Sequence, residues 1–140
     1  MGWLKSVNPG FVNINRNEEP EPEGPAPMDA VSGALMFISR SSFARLGGFD
    51  EGYFLHVEDL DLCRRAEAEG GAVIYTPLAS ALHHGATSDV PALEVEKHKG
   101  AGLNRYFRKF AETPVEKLAA RVLGPVIGLL LSMRARLSKR

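Results

Sequence analysis

The sequence holds a single cysteine, Cys63, so it can close no internal disulfide and cannot build a thiolate zinc site. A reducing compartment, the cytosol, is the simplest expectation. Neither charge is in excess, since 17 Lys and Arg balance 17 Asp and Glu. Phosphate-rich polymers call for a clear Lys/Arg surplus, so nucleic acid is not expected as a partner. No basic stretch followed by an apolar one opens the sequence, and no cleaved signal peptide is expected. Gly2 and Ser6 fit a myristoylation pattern, but so short a match carries no weight. The absence of any internal repeat argues against a solenoid. The apolar run near the end, Val122 to Met133, is bracketed by Arg121 and Arg134 and falls short of the ~20 residues that span a bilayer.

What is present is 140 residues, enough for one domain with a core, with charges unevenly placed. Residues 1–28 form an acidic, proline-rich head carrying Glu18, Glu19, Glu21 and Glu23. The four prolines between Asn17 and Pro27 exclude a helix or a central strand there and predict an exposed loop. Residues 29–112 form the main domain. Asp29 to Ser39 predicts a buried strand in which Gly33 and Ala34 admit a close neighbour or ligand. Ser41 or Ser42 then caps a short helix that Gly47 and Gly48 end.

A second helix runs from about Glu58 to Glu69, with Leu62 and Ala66 on one stripe, its acids in the first turn and Gly70-Gly71 as the stop. Ala72 to Thr76 and Ala79 to His83 predict short strands. Ala92 to Glu112 predicts a helix weakened at Gly100 and Gly102. In residues 113–140, Thr113-Pro114-Val115-Glu116 joins an N-cap, a first-position proline and a capping-box glutamate at the head of a last helix.

Taken in order, Gly33-Ala34, Gly47-Gly48-Phe49-Asp50-Glu51, Tyr53-Phe54, Glu58-Asp59-Leu60-Asp61-Leu62-Cys63-Arg64-Arg65, Gly70, Tyr75-Thr76-Pro77 and His83-His84-Gly85-Ala86-Thr87-Ser88 resemble the second half of family-2 glycosyltransferases of the rhamnosyltransferase type. Each piece is weak alone; their order and spacing are specific. The resemblance implies an α/β fold, the acceptor-side half of a GT-A (Rossmann-like) architecture, followed by a C-terminal amphipathic helix. It implies inverting transfer of a sugar, with rhamnose the first guess, from a nucleotide diphosphate sugar to a lipid-linked saccharide in cell-envelope polysaccharide assembly.

Such a transfer needs a base for the acceptor hydroxyl's proton, and a carboxylate within hydrogen-bond reach supplies it. The family's acid pair falls on Glu58 and Asp59, with Asp59 the base and Glu58 orienting the acceptor or the base; Asp61 supports the helix start. Alone, these acids would mean no more than a helix N-terminus suited to negative charge. Gly33, Phe49, Asp50, Tyr53, Phe54 and Arg64 are the acceptor-binding candidates, although Arg64 and Arg65 also lie where they could pair with the acids along the helix. By the same resemblance His83, rather than His84, is a ligand for Mg²⁺ or Mn²⁺ on the nucleotide diphosphate. Without it, a histidine ending a strand is a structural residue.

No Asp-x-Asp precedes the acid pair and no βαβ segment precedes Asp29. The donor-binding half is therefore expected to lie outside this chain, supplied in trans or by a longer gene product, and any metal would be held only with it. Basic residues flank the apolar run of the last helix, which suits a cytoplasmic protein held peripherally on the inner face of the plasma membrane. Packing against the missing half is an equal alternative, and Pro125 and Gly128 are expected to kink the helix either way. The competing functional class is a catalytically inactive module that binds membrane or a partner subunit. A free-standing metal protein built on His83, His84 and Asp59 leaves the Gly-Gly-Phe-Asp loop unexplained.

Overall fold

The computed structural model describes residues 22–84 and 90–137. The Gly2/Ser6 pattern, the start of the proline-rich head, the Gly85 to Ser88 loop and the basic pair Lys139 and Arg140 lie outside the described residues. The chain divides into two compact units, one of residues 1–48 and 62–83, the other of residues 49–61 and 84–140.

In the first unit, strands β1 (Ala26–Pro27) and β2 (Ile74–Tyr75) pair antiparallel, Ala26 opposite Tyr75 and Pro27 opposite Ile74. The Met28 N–H extends the ladder to the Val73 carbonyl at 2.9 Å. Proline is tolerated because this two-stranded sheet has only edge strands. The expected loop thus ends in a strand. The longer strand expected at Asp29 to Ser39 does not form: the segment turns at Ser32, whose carbonyl accepts from Leu35 N–H, and leaves Phe37 88% exposed. Ala79 to His83 is likewise not a strand, and Leu82 is exposed. A strand needs a ladder partner as well as a β-prone composition, and no described residue pairs with either segment.

Helix α1 (Arg40–Arg45) is capped not by Ser41 or Ser42 but two residues before the nearer of them, by Ser39, whose Oγ accepts the Ser42 N–H at 3.0 Å. Its end is a Schellman motif. Gly48 N–H bonds the Phe43 carbonyl and Gly47 N–H the Ala44 carbonyl, with Gly47 at φ 79°. Helix α2 (Glu58–Ala68) ends the same way, Gly71 bonding Ala66 and Gly70, at φ 75°, bonding Glu67. Arg65 of α2 fastens the two helices, donating to the Leu46 and Gly48 carbonyls at the C-terminus of α1. Among the described residues of this unit, Leu46, Leu62 and Cys63 are the buried apolar ones.

The second unit contains the Phe49 to Val57 loop, the first turn of α2, and an antiparallel pair of long helices, α3 (Ala92–Lys109) and α4 (Pro114–Leu137). The start of α4 is the expected capping box: Glu116 N–H bonds Thr113 Oγ1 at 3.2 Å, and Glu116 Oε2 accepts the Thr113 N–H at 2.9 Å. The helix runs on through Pro125. The two helices meet backbone to backbone. A Cβ on Gly100 would lie 2.8 Å from the Gly128 Cα, and one on Gly124 would strike Asn104. On α3, a Cβ on Gly102 would lie 3.1 Å from the His56 carbonyl oxygen. The glycines that weaken α3 locally are therefore its contact points. On an open helix face Gly→Ala stabilises by about 1 kcal/mol. Here the added methyl meets a backbone, and Gly100→Ala should instead destabilise by about 1–3 kcal/mol. Urea unfolding of the two proteins measures the sign.

With small residues turned to α3, α4 shows its large apolar side chains outward: Val115, Leu118, Leu129 and Leu137 are all more than half exposed. At 24 residues, with a mean hydropathy of 1.5 over its most apolar window, α4 is by length and composition long enough to cross a membrane. The charge-free run is itself shorter than a span, and the helix that carries it is longer because it also takes in charged residues at both ends.

Candidate functional site

The loop before α2 is built around Asp50. Its Oδ1 accepts the Gly52 N–H at 2.9 Å, its carbonyl accepts the Tyr53 N–H at 3.0 Å, and the chain turns there. The same carboxylate binds Arg105 Nη2 at 2.8 and 3.0 Å and Lys109 Nζ at 2.7 Å, both from α3. Lys109 Nζ also reaches Asp61 Oδ1 at 2.6 Å, and Asp61 accepts the Tyr53 hydroxyl at 3.0 Å while fully buried. The hydrogen bond from Lys109, helped by Gly52 and Arg105, holds the Asp50 carboxyl well below the usual carboxylate range. Burial, reinforced by the Asp61 charge, pushes the Tyr53 hydroxyl well above the usual phenol range. Arg105 and Lys109 also lie over the Tyr53 ring.

This knot fixes the first turn of α2, where the acid pair sits. Asp59 is half-buried, its Oδ1 accepting the Leu60 N–H at 2.8 Å. Glu58 Oε2 is buried with no hydrogen-bond partner among the described residues. A buried carboxylate oxygen without a donor is an exception among buried polar groups. The two residues before the pair are strained, His56 at φ 64° and Val57 at φ 76°, and Val57 is β-branched and buried. Such strain persists where the surroundings over-determine the backbone, here through the close approach of Gly102.

Of the acceptor-binding candidates, Asp50 and Tyr53 belong to the knot, and their carboxylate and hydroxyl groups are engaged within the protein. Phe54 is 81% exposed and lies beside the His98 ring, centroids 4.4 Å apart; Phe49 is also exposed. Gly33, Arg64 and His83 belong to the first unit, and each is exposed. No three of His, Cys, Asp and Glu gather around one point among the described residues. His83 is thus at most one ligand of a metal whose other ligands lie elsewhere, and the described residues do not by themselves fit a metal centre. Sequence reasoning did not tie Arg105 and Lys109 to Asp50 and Asp61 and undervalued Asp61, since nothing local connects residues 48 and 55 positions apart.

No family model matches the chain, and no solved structure matches it. Curated proteins do, and they make this chain a relative of glycosyltransferases. It is similar to the N-acetylglucosaminyl-diphospho-decaprenol L-rhamnosyltransferase of Mycobacterium tuberculosis, 40% identical over 100 residues that cover 70% of this chain and 32% of that protein. Rhamnosyltransferase WbbL of Escherichia coli K12 is 35% identical over 76 residues, covering 53% of this chain and 29% of that protein. The low-salt glycan biosynthesis hexosyltransferase Agl10 of Haloferax volcanii is 29% identical over 99 residues, covering 56% and 32%. The chain spans about a third of the length of the curated relatives it matches.

Proposed function

We propose that this chain is the acceptor-side part of an inverting glycosyltransferase of GT-A type, placing a sugar, rhamnose by likeness to its relatives, on a lipid-linked saccharide of the cell envelope. The observation that carries this is the acid pair at the head of α2, held by a buried ion-pair knot beside strained backbone, with one carboxylate oxygen of Glu58 lacking a partner among the described residues. Asp59 takes the proton of the acceptor hydroxyl as that oxygen attacks the anomeric carbon; the bond to the nucleotide diphosphate breaks, and the diphosphate leaves with the electron pair. Glu58 orients the hydroxyl. Phe54 offers an exposed ring face to the acceptor sugar.

The test is transfer of labelled rhamnose from thymidine diphosphate rhamnose to a diphospholipid-linked N-acetylglucosamine by a protein in which a nucleotide-binding half precedes this chain. Lipid product would support the reading, and its absence with any donor sugar would sink it. The 140-residue chain alone should show no turnover of sugar nucleotide.

The outward apolar face of α4, with Arg121, Arg134 and Arg136 beside it, favours contact with the cytoplasmic surface of the membrane, whether or not the chain is catalytic. Because α4 packs on α3 through Gly100 and Gly128, deleting it would disturb the second unit. The cleaner probe is Leu129→Glu together with Leu130→Glu, which changes only exposed positions. Vesicles containing phosphatidylglycerol should bind the parent chain less well as salt rises, with charges screened beyond about 10 Å at 0.1 M. The double variant should lose binding at least about ten-fold, and unchanged sedimentation would exclude α4 as the membrane surface.

A further inference from the structure

The backbone that leads into α2 adopts a conformation its own side chains do not select. Histidine enters the left-handed region at times, but a β-branched residue there is an outlier, and Val57 stands at φ 76°. Valine is also a poor residue for starting a helix, having no side-chain acceptor for the first amides. Its carbonyl nevertheless accepts the Asp61 N–H at 3.0 Å at the head of α2. Where that carbonyl points therefore sets the direction in which Glu58 and Asp59 leave the helix.

The cause lies on α3. A Cβ on Gly102 would stand 3.1 Å from the His56 carbonyl oxygen and 3.2 Å from Val57 Cγ2, and Gly102 and Val57 are both buried. Arg105 and Lys109, one and two helical turns further on, share that face of α3 and hold Asp50 and Asp61. One face of the helix thus grips the chain before, at and after residues 56 and 57, and the middle contact has no room for a side chain. Gly100 serves the other side of α3, where its missing Cβ faces Gly128.

We propose that Gly102 is a positioning residue for the acid pair: lacking a side chain, it lets the α3 backbone hold His56 and Val57 in the left-handed region, and this aims Asp59 and Glu58. The assignment rests on the acceptor-side function proposed above and names the residue, distant in sequence, on which the placement of the base depends. A base acts only within hydrogen-bond reach of the proton it takes, and a misplacement of about 1 Å can cost on the order of 10²-fold in rate. Added volume at position 102 should therefore act on the chemical step rather than on binding.

The experiment compares Gly102→Ala with Gly100→Ala, which puts the same methyl into the other backbone contact of α3 and leaves residues 56 and 57 untouched. In the full 140-residue chain, exchange of the Asp61 amide relative to the mid-helix Ala66 amide should quicken about ten-fold or more in Gly102→Ala and stay within about two-fold of the parent in Gly100→Ala. In a protein that carries the donor half, Gly102→Ala should lower kcat by about ten-fold or more with donor and acceptor KM within about two-fold. Gly100→Ala should keep kcat within about two-fold of the parent despite its lower urea midpoint. Should Gly102→Ala be too unstable to assay, Val57→Gly loosens the same contact without adding volume, and glycine takes a positive φ freely; its kcat should fall by a similar factor. Equal losses of kcat in the two alanine variants would overturn the proposal, since they would make Gly102 a packing residue only. So would an Asp61 amide that exchanges in Gly102→Ala as in the parent. A near-parent kcat in Gly102→Ala or Val57→Gly would sink the positioning role and leave the function standing. A quickened Asp61 amide with no transfer by the parent would remove the function and leave the hold of Gly102 on this segment in place.

Discussion

Asp59→Asn should lower sugar transfer by on the order of 10²–10⁴-fold in a protein that carries the donor half, while donor affinity stays within about two-fold. An amide keeps the shape of the carboxylate and its bond to the Leu60 N–H, yet it cannot accept the hydroxyl proton. That loss is felt as the oxygen attacks and hardly at all when the nucleotide sugar binds, so the effect falls on kcat. Glu58→Gln should cost less, chiefly in acceptor KM, because Oε2 is assigned to orienting the hydroxyl. Single-turnover rates with saturating donor measure both. A near-normal rate in Asp59→Asn combined with a collapsed rate in Glu58→Gln would move the base to Glu58.

The largest stability effect should come from Lys109→Met. The ammonium lies 2.6 Å from Asp61 and 2.7 Å from Asp50, and Asp61 is fully buried. Removing one partner leaves a buried carboxylate uncompensated, at a cost of about 3–5 kcal/mol. Asp61→Leu combined with Lys109→Met should recover much of that loss, since replacing both members of a buried pair by apolar groups is often close to neutral. Asp50 adds a pH signature. Its folded pKa is depressed, first by the Lys109 hydrogen bond, so its stabilisation is present above the unfolded value of about 3.9 and is lost as pH falls below it. Lys109→Met should therefore show a shallower acid loss than the parent. Urea titrations at pH 3 and pH 6 test both points, and equal stability of Lys109→Met and parent at pH 6 would contradict the knot.

The acid pair and the loop that leads into it were legible in the sequence because they are contiguous: Asp50 to Tyr53 makes its own turn, and Glu58 to Asp61 its own helix start. The partners of that loop were not. Arg105 and Lys109 carry no local sign of their partners until α3 brings them to Asp50 and Asp61, and Gly100 and Gly102 read as weak points until they meet Gly128 and His56.

By itself the sequence determined the helix ends of this protein. The pairs Gly47-Gly48 and Gly70-Gly71, and Thr113-Pro114-Glu116, satisfy orphan backbone groups within six residues of chain, so their bonds are local. The tertiary structure alone decided which apolar segments would be covered. Asp29 to Ser39 has the composition of a buried strand but finds no ladder partner among the described residues, whereas α4 buries Ala120, Gly124 and Ala135 and leaves its leucines outside. Burial and strand pairing are set by what another part of the chain brings alongside, and residues far apart in sequence carry no local sign of meeting.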